Sequence, residues 1–450
     1  MSTNKKERKR SMPHTRAIQR DRSKRVSSPP PDEKIEQWLE EAVKPAVYTQ
    51  MALYRQMGLR ERVLTLMVKV SFVMSLLWRQ IGSVREGVRL LREEGLLWVE
   101  PVEKVSAQAM LERLASLPAS LFYNILVEVI PQMQARGESR QRPLPPAVAW
   151  AQQHFSHIWA ADGSVLDNLL RKVGLLQGQE ETVLAGKIAT LVDVATQVPA
   201  AITYDEDCHK HDHSFWEWLL SQVQAGVLLL LDKGWIDFDR FDQLTSRGVA
   251  FITRLKSNTA YRPVRVLAQT AHLHDVIIHL GGRQRQCQHE MRLVSVLFKG
   301  KWYRYLTNVL DPEILPPAVV VALYDQRWRI EDAFNIVKRL LGLAFFYTGS
   351  VNGVQLQLWM TWLLYTMLVD LTDSVAEALH RPFKDISIEM VFRGLYHFSQ
   401  ARHKGLADQV VPYFVRKAKA LDIIKQKRPL KHLSLVLWFS LIELRKRETE

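Results

Sequence analysis

The sequence has little of what a secreted or membrane-spanning protein needs. Only two cysteines, Cys208 and Cys287, occur among 450 residues, so no disulfide framework is indicated and a reducing compartment is expected. The basic N-terminus is not followed by an apolar segment and a cleavage site, which argues against a signal peptide. The most apolar stretch, residues 356–369, is shorter than the roughly 20 residues that cross a bilayer. These absences favour a cytoplasmic protein without a membrane partner, in which residues 356–369 form a buried helix.

Acidic residues are also scarce relative to basic ones. Lys and Arg number 61 against 47 Asp and Glu, which gives a formal net charge of +14 and suits a polyanionic partner. Residues 1–25 contain ten Lys or Arg and two acids, so 10 − 2 = +8 of this charge lies there. Residues 1–31 lack aromatic side chains and end in three prolines, which predicts a disordered basic tail. The tail either binds DNA as an arm or acts as a solubilising segment.

The most informative residues of the sequence lie in one segment near residue 330. Tyr324, Arg327, Glu331 and Lys338 fall within an arc of about 60° at roughly 100° per residue, if the segment is one helix. The apolar residues between 330 and 341 take the other side, as in an amphipathic helix with one face on the core. A solvated charged face is the ordinary interpretation of such an arc. The alternative is a functional face, in which one carboxylate stands among three groups that bind phosphate.

Two aspartates upstream favour the functional interpretation. Residues 227–231 form an unbroken apolar run, typical of a strand buried on both faces, and Asp232 follows where the run ends. Another short apolar segment, 157–161, is closed by Asp162 in the same way. Acids at the carboxyl ends of central strands are where α/β sheets place their chemistry, although Asp-Gly is also ordinary turn chemistry. With Glu331, the two strand-end aspartates make a set of three carboxylates.

These residues resemble the Asp-Asp-Glu triad and the Y-R-E-K signature of DDE-type insertion-sequence transposases, specifically the insertion sequence four family. The signature is carried by Tyr324, Arg327, Glu331 and Lys338, spaced as Tyr-x2-Arg-x3-Glu-x6-Lys. The likeness extends to the segments Asp162-Gly163-Ser164, Asp232-Lys233-Gly234-Trp235, residues 251–256 and Leu306-Thr307-Asn308. It runs from about residue 60 to about residue 370, and the spaced signature is its most specific part.

The resemblance implies a ribonuclease H-like α/β catalytic core that acts with Mg²⁺, or with Mn²⁺ as a substitute. Two Mg²⁺ ions about 3.5–4 Å apart activate the attacking oxygen and neutralise the departing one in such sites, and carboxylates are the hard oxygen ligands that Mg²⁺ accepts. By this resemblance Asp162 would bridge both metals, while Asp232 and Glu331 would each hold one. A structural ion pair is the alternative for a carboxylate flanked by cations.

The resemblance also assigns DNA contacts. Arg327 and Lys338 would bind DNA phosphates, Arg with its planar fork and Lys as a point charge, and Tyr324 would donate its hydroxyl to another phosphate. Trp302 lies where relatives that form hairpinned ends present an aromatic residue to stack on a base. A tryptophan beside Tyr303 in a strand is also explained by cross-strand packing.

The chain divides into four predicted regions. After the tail come a helical N-terminal region at 32–150, the catalytic core at 151–350 and a helical C-terminal region at 351–450. The 99 residues from Asp232 to Glu331 exceed what a strand-to-helix connection needs, so their strand-rich interior predicts an inserted β-rich subdomain at about 258–320.

The N-terminal region contains a predicted helix start at Ser83, three residues before Glu86, as in a capping box. The preceding turn at Gly82 is either the turn of a helix-turn-helix that binds DNA ends or the corner of a helical bundle.

Two other clusters are ambiguous. The string from Cys208 to His213, with Cys287 and His289 later, offers zinc-compatible side chains, but the pairs do not repeat at zinc-site spacing. The acids at 205–207 favour a solvated polar loop instead. The basic residues from 416 to 431 either contact DNA or lie on the surface of a C-terminal bundle.

The sequence therefore predicts a cut-and-paste transposase of a mobile element, which would cleave DNA at terminal inverted repeats and transfer the 3′ ends into target DNA. Its partners would be double-stranded DNA, both element ends and target, and a second copy in a homodimer on paired ends. A prokaryotic, nucleoid-associated location in the cytoplasm follows. The alternatives are a transposase-derived DNA-binding protein without catalysis, which the three intact acids disfavour, and a metal-dependent nuclease without strand transfer.

Overall fold

The structure is a computed structural model that describes residues 32–426 apart from residues 60, 167–185, 208, 342, 344–346 and 349. The predicted basic tail at 1–31, Cys208 of the zinc-compatible string and residues 427–450 of the predicted C-terminal region lie outside the described residues.

Residues 33–151 form a succession of helices. These are α1 (Glu33–Gln56), α2 (Leu66–Trp78), α3 (Val84–Glu93), α4 (Ala107–Ser116), α5 (Ser120–Ser139) and α6 (Pro146–Ala151). The predicted helix start at Ser83 is confirmed, because its side chain accepts a hydrogen bond from the backbone N–H of Glu86. Helix α2 is buried around nearly its whole circumference, so it lies inside the helical layer rather than on its surface.

A nine-stranded mixed sheet forms the centre, in the order β3-β2-β1-β4-β5-β9-β8-β7-β6. Its strands are β1 (His157–Val165), β2 (Lys187–Asp193), β3 (Pro199–Asp205), β4 (Val227–Leu231), β5 (Ala250–Arg254), β6 (Tyr261–Gln269), β7 (Leu273–Leu280), β8 (Met291–Phe298) and β9 (Lys301–Thr307). Strand β4 is parallel to β1 and to β5, and the other neighbours are antiparallel. The predicted buried strand before Asp232 is confirmed, because every residue of β4 is buried.

Asp162 is not at a strand end, contrary to the sequence expectation. Strand β1 continues to Val165, because beyond Ala161 it still pairs with β2, where Asp162 lies opposite Thr190. Only its parallel pairing with β4 stops, at Ala161 opposite Leu231. Asp162 and Asp232 each directly follow a residue of this last parallel pair. They therefore lie side by side at one edge of the parallel part of the sheet.

Strands β6 to β9 lie in the segment where the sequence predicts a β-rich insertion, and β9 joins them to β5. A fully buried ion pair between Arg292 and Asp275, with N–O distances of 2.8 and 2.6 Å, links β8 to β7. Arg292 also donates to the carbonyl oxygen of Leu315 at 2.8 Å. These strands are thereby tied to the loop that leads into the helix carrying Tyr324.

Helices cover both faces of the sheet. They are α7 (Trp216–Gln222), α8 (Phe238–Ser246), α9 (Pro317–Gln326), α10 (Trp328–Asn335), α11 (Val351–Ala378), α12 (Ile388–His403) and α13 (Val410–Lys417). The predicted buried helix is confirmed, because residues 356–373 of α11 are all buried. Within the described residues no single helix is long and apolar enough to cross a bilayer, and the pair α4 and α5, bent by 74°, reaches that length and apolarity only when both are taken together.

The segment from Tyr324 to Lys338 is not one helix, and that prediction is wrong. Helix α9 ends at Gln326, α10 begins at Trp328, and Ile336–Leu340 form a π-helical turn. A π turn takes more residues per turn than an α-helix, so the uniform angular spacing does not hold past residue 335. Tyr324 and Arg327 are only 7% and 5% exposed, so this face is not a solvated one.

Candidate active site

Three carboxylates from distant parts of the chain converge on one guanidinium group. Arg327 Nη1 lies 3.1 Å from Asp162 Oδ2, and its Nη2 lies 3.0 Å from Glu331 Oε1 and 3.8 Å from Asp232 Oδ1. Strand β1 supplies Asp162, the end of β4 supplies Asp232, and the first turn of α10 supplies Glu331. The structure thus brings the three predicted carboxylates together, with Arg327 between them.

Arg327 is held at the junction of α9 and α10. Its guanidinium carbon lies 6.0 Å from the ring centre of Tyr324 and 5.2 Å from that of Trp328, and its Nε is buried without a hydrogen-bond partner in the described part of the chain. A buried cation is tolerated only when it is paired. The three carboxylates provide that pairing, so Arg327 and the acids depend on one another.

Burial raises the pKa of Asp162 to about 6, although the charge of Arg327 acts in the opposite direction. The backbone N–H of Gly163 donates to Asp162 Oδ1 at 2.8 Å and also favours the charged form. The negative charges of Asp232 and Asp212 add to the increase. Asp162 therefore stands where negative charge is concentrated, and where another cation would be favoured.

Lys338 contacts strand β1 rather than the carboxylates. Its Nζ donates to the carbonyl oxygen of Val165 at 2.8 Å and to the hydroxyl of Ser164. Burial lowers the pKa of Lys338 to about 8, and the charge of Asp162 opposes that decrease. The π-helical turn brings Lys338 to the end of β1, where it fixes the strand that carries Asp162.

Tyr324 and a residue that the sequence analysis missed lie beside the carboxylates. The ring of Tyr324 packs edge-on against Tyr305 at 5.4 Å, and burial raises the pKa of Tyr324 to about 12. Arg254, at the end of β5, lies opposite Tyr305, with its guanidinium carbon 4.9 Å from the ring centre of Tyr303. Its Nε is buried without a hydrogen-bond partner among the described residues.

The sequence did contain a signal for Arg254. It is a cation at the carboxyl end of the apolar segment that follows Asp232, and such ends meet at one edge of a parallel sheet. The charge of Arg254 lowers the pKa of both Tyr305 and Tyr324 against the effect of burial, so Arg254 lies near the tyrosines that pack beside Arg327.

Trp302 lies on β9 opposite Leu297. Its ring is tilted against that of His274 on β7, with ring centres 4.5 Å apart. Since Tyr305 is the partner of Arg254, Trp302 lies three residues beyond the end of β5, past the edge that carries Asp232. The contact between the rings of Trp302 and His274 is cross-strand packing.

A fourth carboxylate lies on the other face of β1, behind Asp162. Asp212, from the zinc-compatible string, pairs with Lys187 Nζ at 2.7 Å. Two glycines leave room for it, because a Cβ on Gly163 would lie 2.2 Å from Asp212 Oδ1 and one on Gly234 would lie 3.0 Å from Oδ2. Two side chains of the string are therefore paired, since His213 Nε2 also contacts Asp237 Oδ2 at 2.5 Å.

Gly163→Ala is expected to destabilise the protein by about 1–3 kcal/mol, because the new methyl group would displace Asp212 from Lys187. Urea denaturation of the purified chain measures this. Gly82→Ala is the matched control: no atom lies within 4 Å of its added Cβ, so its effect should stay within about 0.5 kcal/mol. Equal stability of the two variants would show that the Asp212 contact is not restrictive.

The donor set fits a hard divalent cation, since it consists of carboxylate oxygens from three elements that already face one positive charge. In the positions that the structure gives them, however, no three or more His, Cys, Asp or Glu side chains among the described residues are arranged to hold a metal ion. The reason is steric and electrostatic, because the Arg327 guanidinium lies between the carboxylates. A metal ion would therefore take over contacts that Arg327 makes here.

Two aspartates from adjacent strands and a glutamate from a helix thus lie together in a mixed α/β fold. Residues 177–367 of the chain match the model of the Transposase DDE domain family. That match includes Asp232, Arg327, Glu331 and Lys338, and the geometry adds Asp162 upstream of it.

Two curated relatives are similar over part of the chain. A probable transposase for an insertion sequence element of Geobacillus stearothermophilus is 25% identical over 167 residues, which is 35% of this chain and 42% of the relative. A protein of Sinorhizobium fredii that is also named as a transposase is 26% identical over 155 residues, or 32% of this chain and 43% of the relative. The chain thus spans about two fifths of the length of each. These matches support the predicted identification as a DDE-type insertion-sequence transposase.

Proposed function

We propose that the protein is a cut-and-paste transposase of the insertion sequence four family. It cleaves double-stranded DNA at the terminal inverted repeats of its element and transfers the 3′ ends into target DNA, as a homodimer on paired ends. The observation that carries the proposal is the convergence of Asp162, Asp232 and Glu331 on one buried cation, in a chain whose net charge of +14 suits DNA.

The proposed fold is a ribonuclease H-like core interrupted by a β-rich insertion. Strands β1 to β5 with helices α7 to α10 would be the core, and β6 to β9 the insertion. In support of this division, the parallel neighbours β1, β4 and β5 carry the two aspartates and Arg254 on them or at their ends. Strands β6 to β9, by contrast, are all antiparallel to one another. The helical regions on either side would bind DNA ends and complete the core.

In the proposed mechanism Asp162, Asp232 and Glu331 hold Mg²⁺, or Mn²⁺ in its place. When bound, two such ions supply an activated oxygen nucleophile and neutralise the charge on the departing oxygen. The residues of the chain position the reactants. Arg327, released from the carboxylates, would bind a phosphate oxygen with its fork, and Lys338 would keep β1, and thus Asp162, in place.

Tyr324 and Arg254 would complete the phosphate contacts on the same side of the sheet. Tyr324 stays protonated because burial raises its pKa to about 12, so its hydroxyl can donate to a phosphate oxygen. Trp302 would extend the DNA surface past the sheet edge by stacking on a base, which requires it to leave His274.

Arg254→Gln is expected to weaken binding to all DNA sequences alike and to lower the slope of log K against log salt by about 0.9, the value for one phosphate contact. Fluorescence anisotropy with a labelled duplex at several salt concentrations measures this. Arg240→Gln removes the same charge from α8, where Arg240 pairs with Glu217, and should leave the slope unchanged. Equal slopes for both variants would remove Arg254 from the DNA surface.

The proposed function is tested by incubating the protein with a plasmid that carries the candidate element ends. With Mg²⁺ or Mn²⁺ we expect excised element and strand-transfer products, with Ca²⁺ we expect inhibition, and Zn²⁺ should not be required. Cleaved ends without joined products would identify the nuclease alternative. Binding without cleavage would identify the DNA-binding alternative, and full activity in EDTA would exclude carboxylate-bound metal.

A further inference from the structure

A second site of basic character lies in the N-terminal helical layer. A cavity of about 280 Å³ opens between the end of α1, the loop before α2, and α4. Four of its lining side chains are cations, namely Arg62, Lys69, Lys104 and Arg113, and Tyr54 also lines it. Among the residues that the structure describes, no Asp or Glu lines it, so the cavity concentrates positive charge at one place.

Lys69 is the unusual member of this set. It is 3% exposed, and its Nζ contacts the Tyr54 hydroxyl at 2.5 Å and lies 4.7 Å from that ring's centre. Within the part of the chain that the structure describes, Lys69 forms no ion pair. A buried ammonium group without a counterion is costly, and burial lowers the pKa of Lys69 to about 8. An anion bound beside Lys69 would therefore offset the cost of burying its charge.

The other charged side chains around Lys69 do not provide a counterion for it. Arg113 repels it, and Glu61 attracts it from the neighbouring loop. Glu61, however, pairs with Arg55 through its Oε2 at 2.8 Å and does not line the cavity. Its Oε1 is buried without a hydrogen-bond partner among the described residues. Arg62, Lys104 and Arg113 form no ion pair with the described residues either. They are exposed, so an anion can reach them from solvent.

We propose that this cavity binds a phosphate group of the DNA backbone. A phosphate presents several acceptor oxygens, and the cavity offers ammonium and guanidinium donors from the loop before α2, from α2 itself and from α4. The N-terminus of α2, with its partial positive charge, lies one turn before Lys69. The DNA source rests on the proposed function, whereas the phosphate chemistry stands on the cavity alone.

The first arm of the test uses inorganic phosphate and the full chain. The melting temperature of the wild type should rise with phosphate, compared with chloride at equal ionic strength. Arg113→Gln should weaken the phosphate affinity roughly tenfold, whereas Lys44→Gln, which removes a cation paired with Glu40 on α1, should not change it. Lys69→Met should abolish the response and melt higher in the absence of phosphate, because it removes an unpaired buried charge.

The second arm identifies the source of the phosphate. It uses a labelled duplex and the Asp232→Ala background, so that loss of cleavage cannot be confused with loss of this site. Arg113→Gln should lower the salt slope of DNA binding by about 0.9, and Lys44→Gln should not. A lost phosphate response with an unchanged slope would show a free phosphate ligand and overturn the DNA source. Equal phosphate responses in the wild type and Arg113→Gln would overturn the site itself, whether or not Lys69→Met folds.

Discussion

Asp162→Ala, Asp232→Ala and Glu331→Ala are each expected to abolish DNA cleavage while leaving binding to the element ends largely intact. Loss of a residue that only orients a metal ligand typically costs 10 to 100-fold, so loss of a ligand itself should cost more than about 100-fold. Binding should survive because the proposed phosphate contacts come from other side chains. Cleavage of a labelled end duplex with Mg²⁺, beside an anisotropy measurement on the same duplex, gives both quantities.

Asp332→Ala is the matched control for these variants. Asp332 follows Glu331 on α10 but is 65% exposed at its side chain and faces Arg329 at 3.7 Å. It should cleave at close to the wild-type rate. Near-normal cleavage by any one of the three carboxylate variants would remove that residue from the site.

Arg327→Met is expected to have the second largest effect, because it leaves three neighbouring carboxylates without their shared cation. Breaking a buried ion pair costs about 3–5 kcal/mol, but Asp232 and Glu331 are 40% and 37% exposed at their side chains. Solvent screening therefore reduces the expected loss of unfolding free energy to roughly 2 kcal/mol in metal-free buffer. Strand transfer should be lost as well, and Arg327→Lys should remain impaired because lysine lacks the planar fork.

The interaction with Mg²⁺ separates this explanation from simple misfolding. Since the carboxylates of Arg327→Met lack a counter-charge, Mg²⁺ should raise its melting temperature more than that of the wild type. Arg329→Met, which changes an arginine on the same helix outside the carboxylate cluster, should respond as the wild type does. An equal Mg²⁺ response in Arg327→Met and the wild type would show that Arg327 is not the counter-ion of the cluster.

The features that the sequence predicts correctly are local ones. The strand at 227–231 is predictable because every side chain of the run is apolar, so both faces of the strand favour burial. The helix start at Ser83 follows from a side chain that caps its own backbone three residues on. The three carboxylates that the structure brings together could likewise be named without coordinates, since their positions beside apolar runs and their spacing are properties of the chain alone. Their catalytic role stays a prediction.

The sequence misjudged features that depend on a partner strand or on helix regularity. Strand β1 passes through Asp162 because β2 supplies hydrogen bonds beyond the point where β4 ends, and the sequence of β1 does not contain that information. Likewise, a uniform angular spacing cannot anticipate the break at Arg327 or the π-helical turn that brings Lys338 to Val165.

The sequence by itself determined which chemical groups this protein has: three acids, a basic excess, and an apolar segment directly before each of two aspartates. Only the tertiary structure decided which of these groups meet. It placed Arg327 between carboxylates that are up to 169 residues apart in sequence and added Arg254 to their surroundings. It also buried Lys69 without a counterion among the described residues. The physical reason is that charge pairing and burial act through space, so they depend on contacts between elements that no spacing along the chain records.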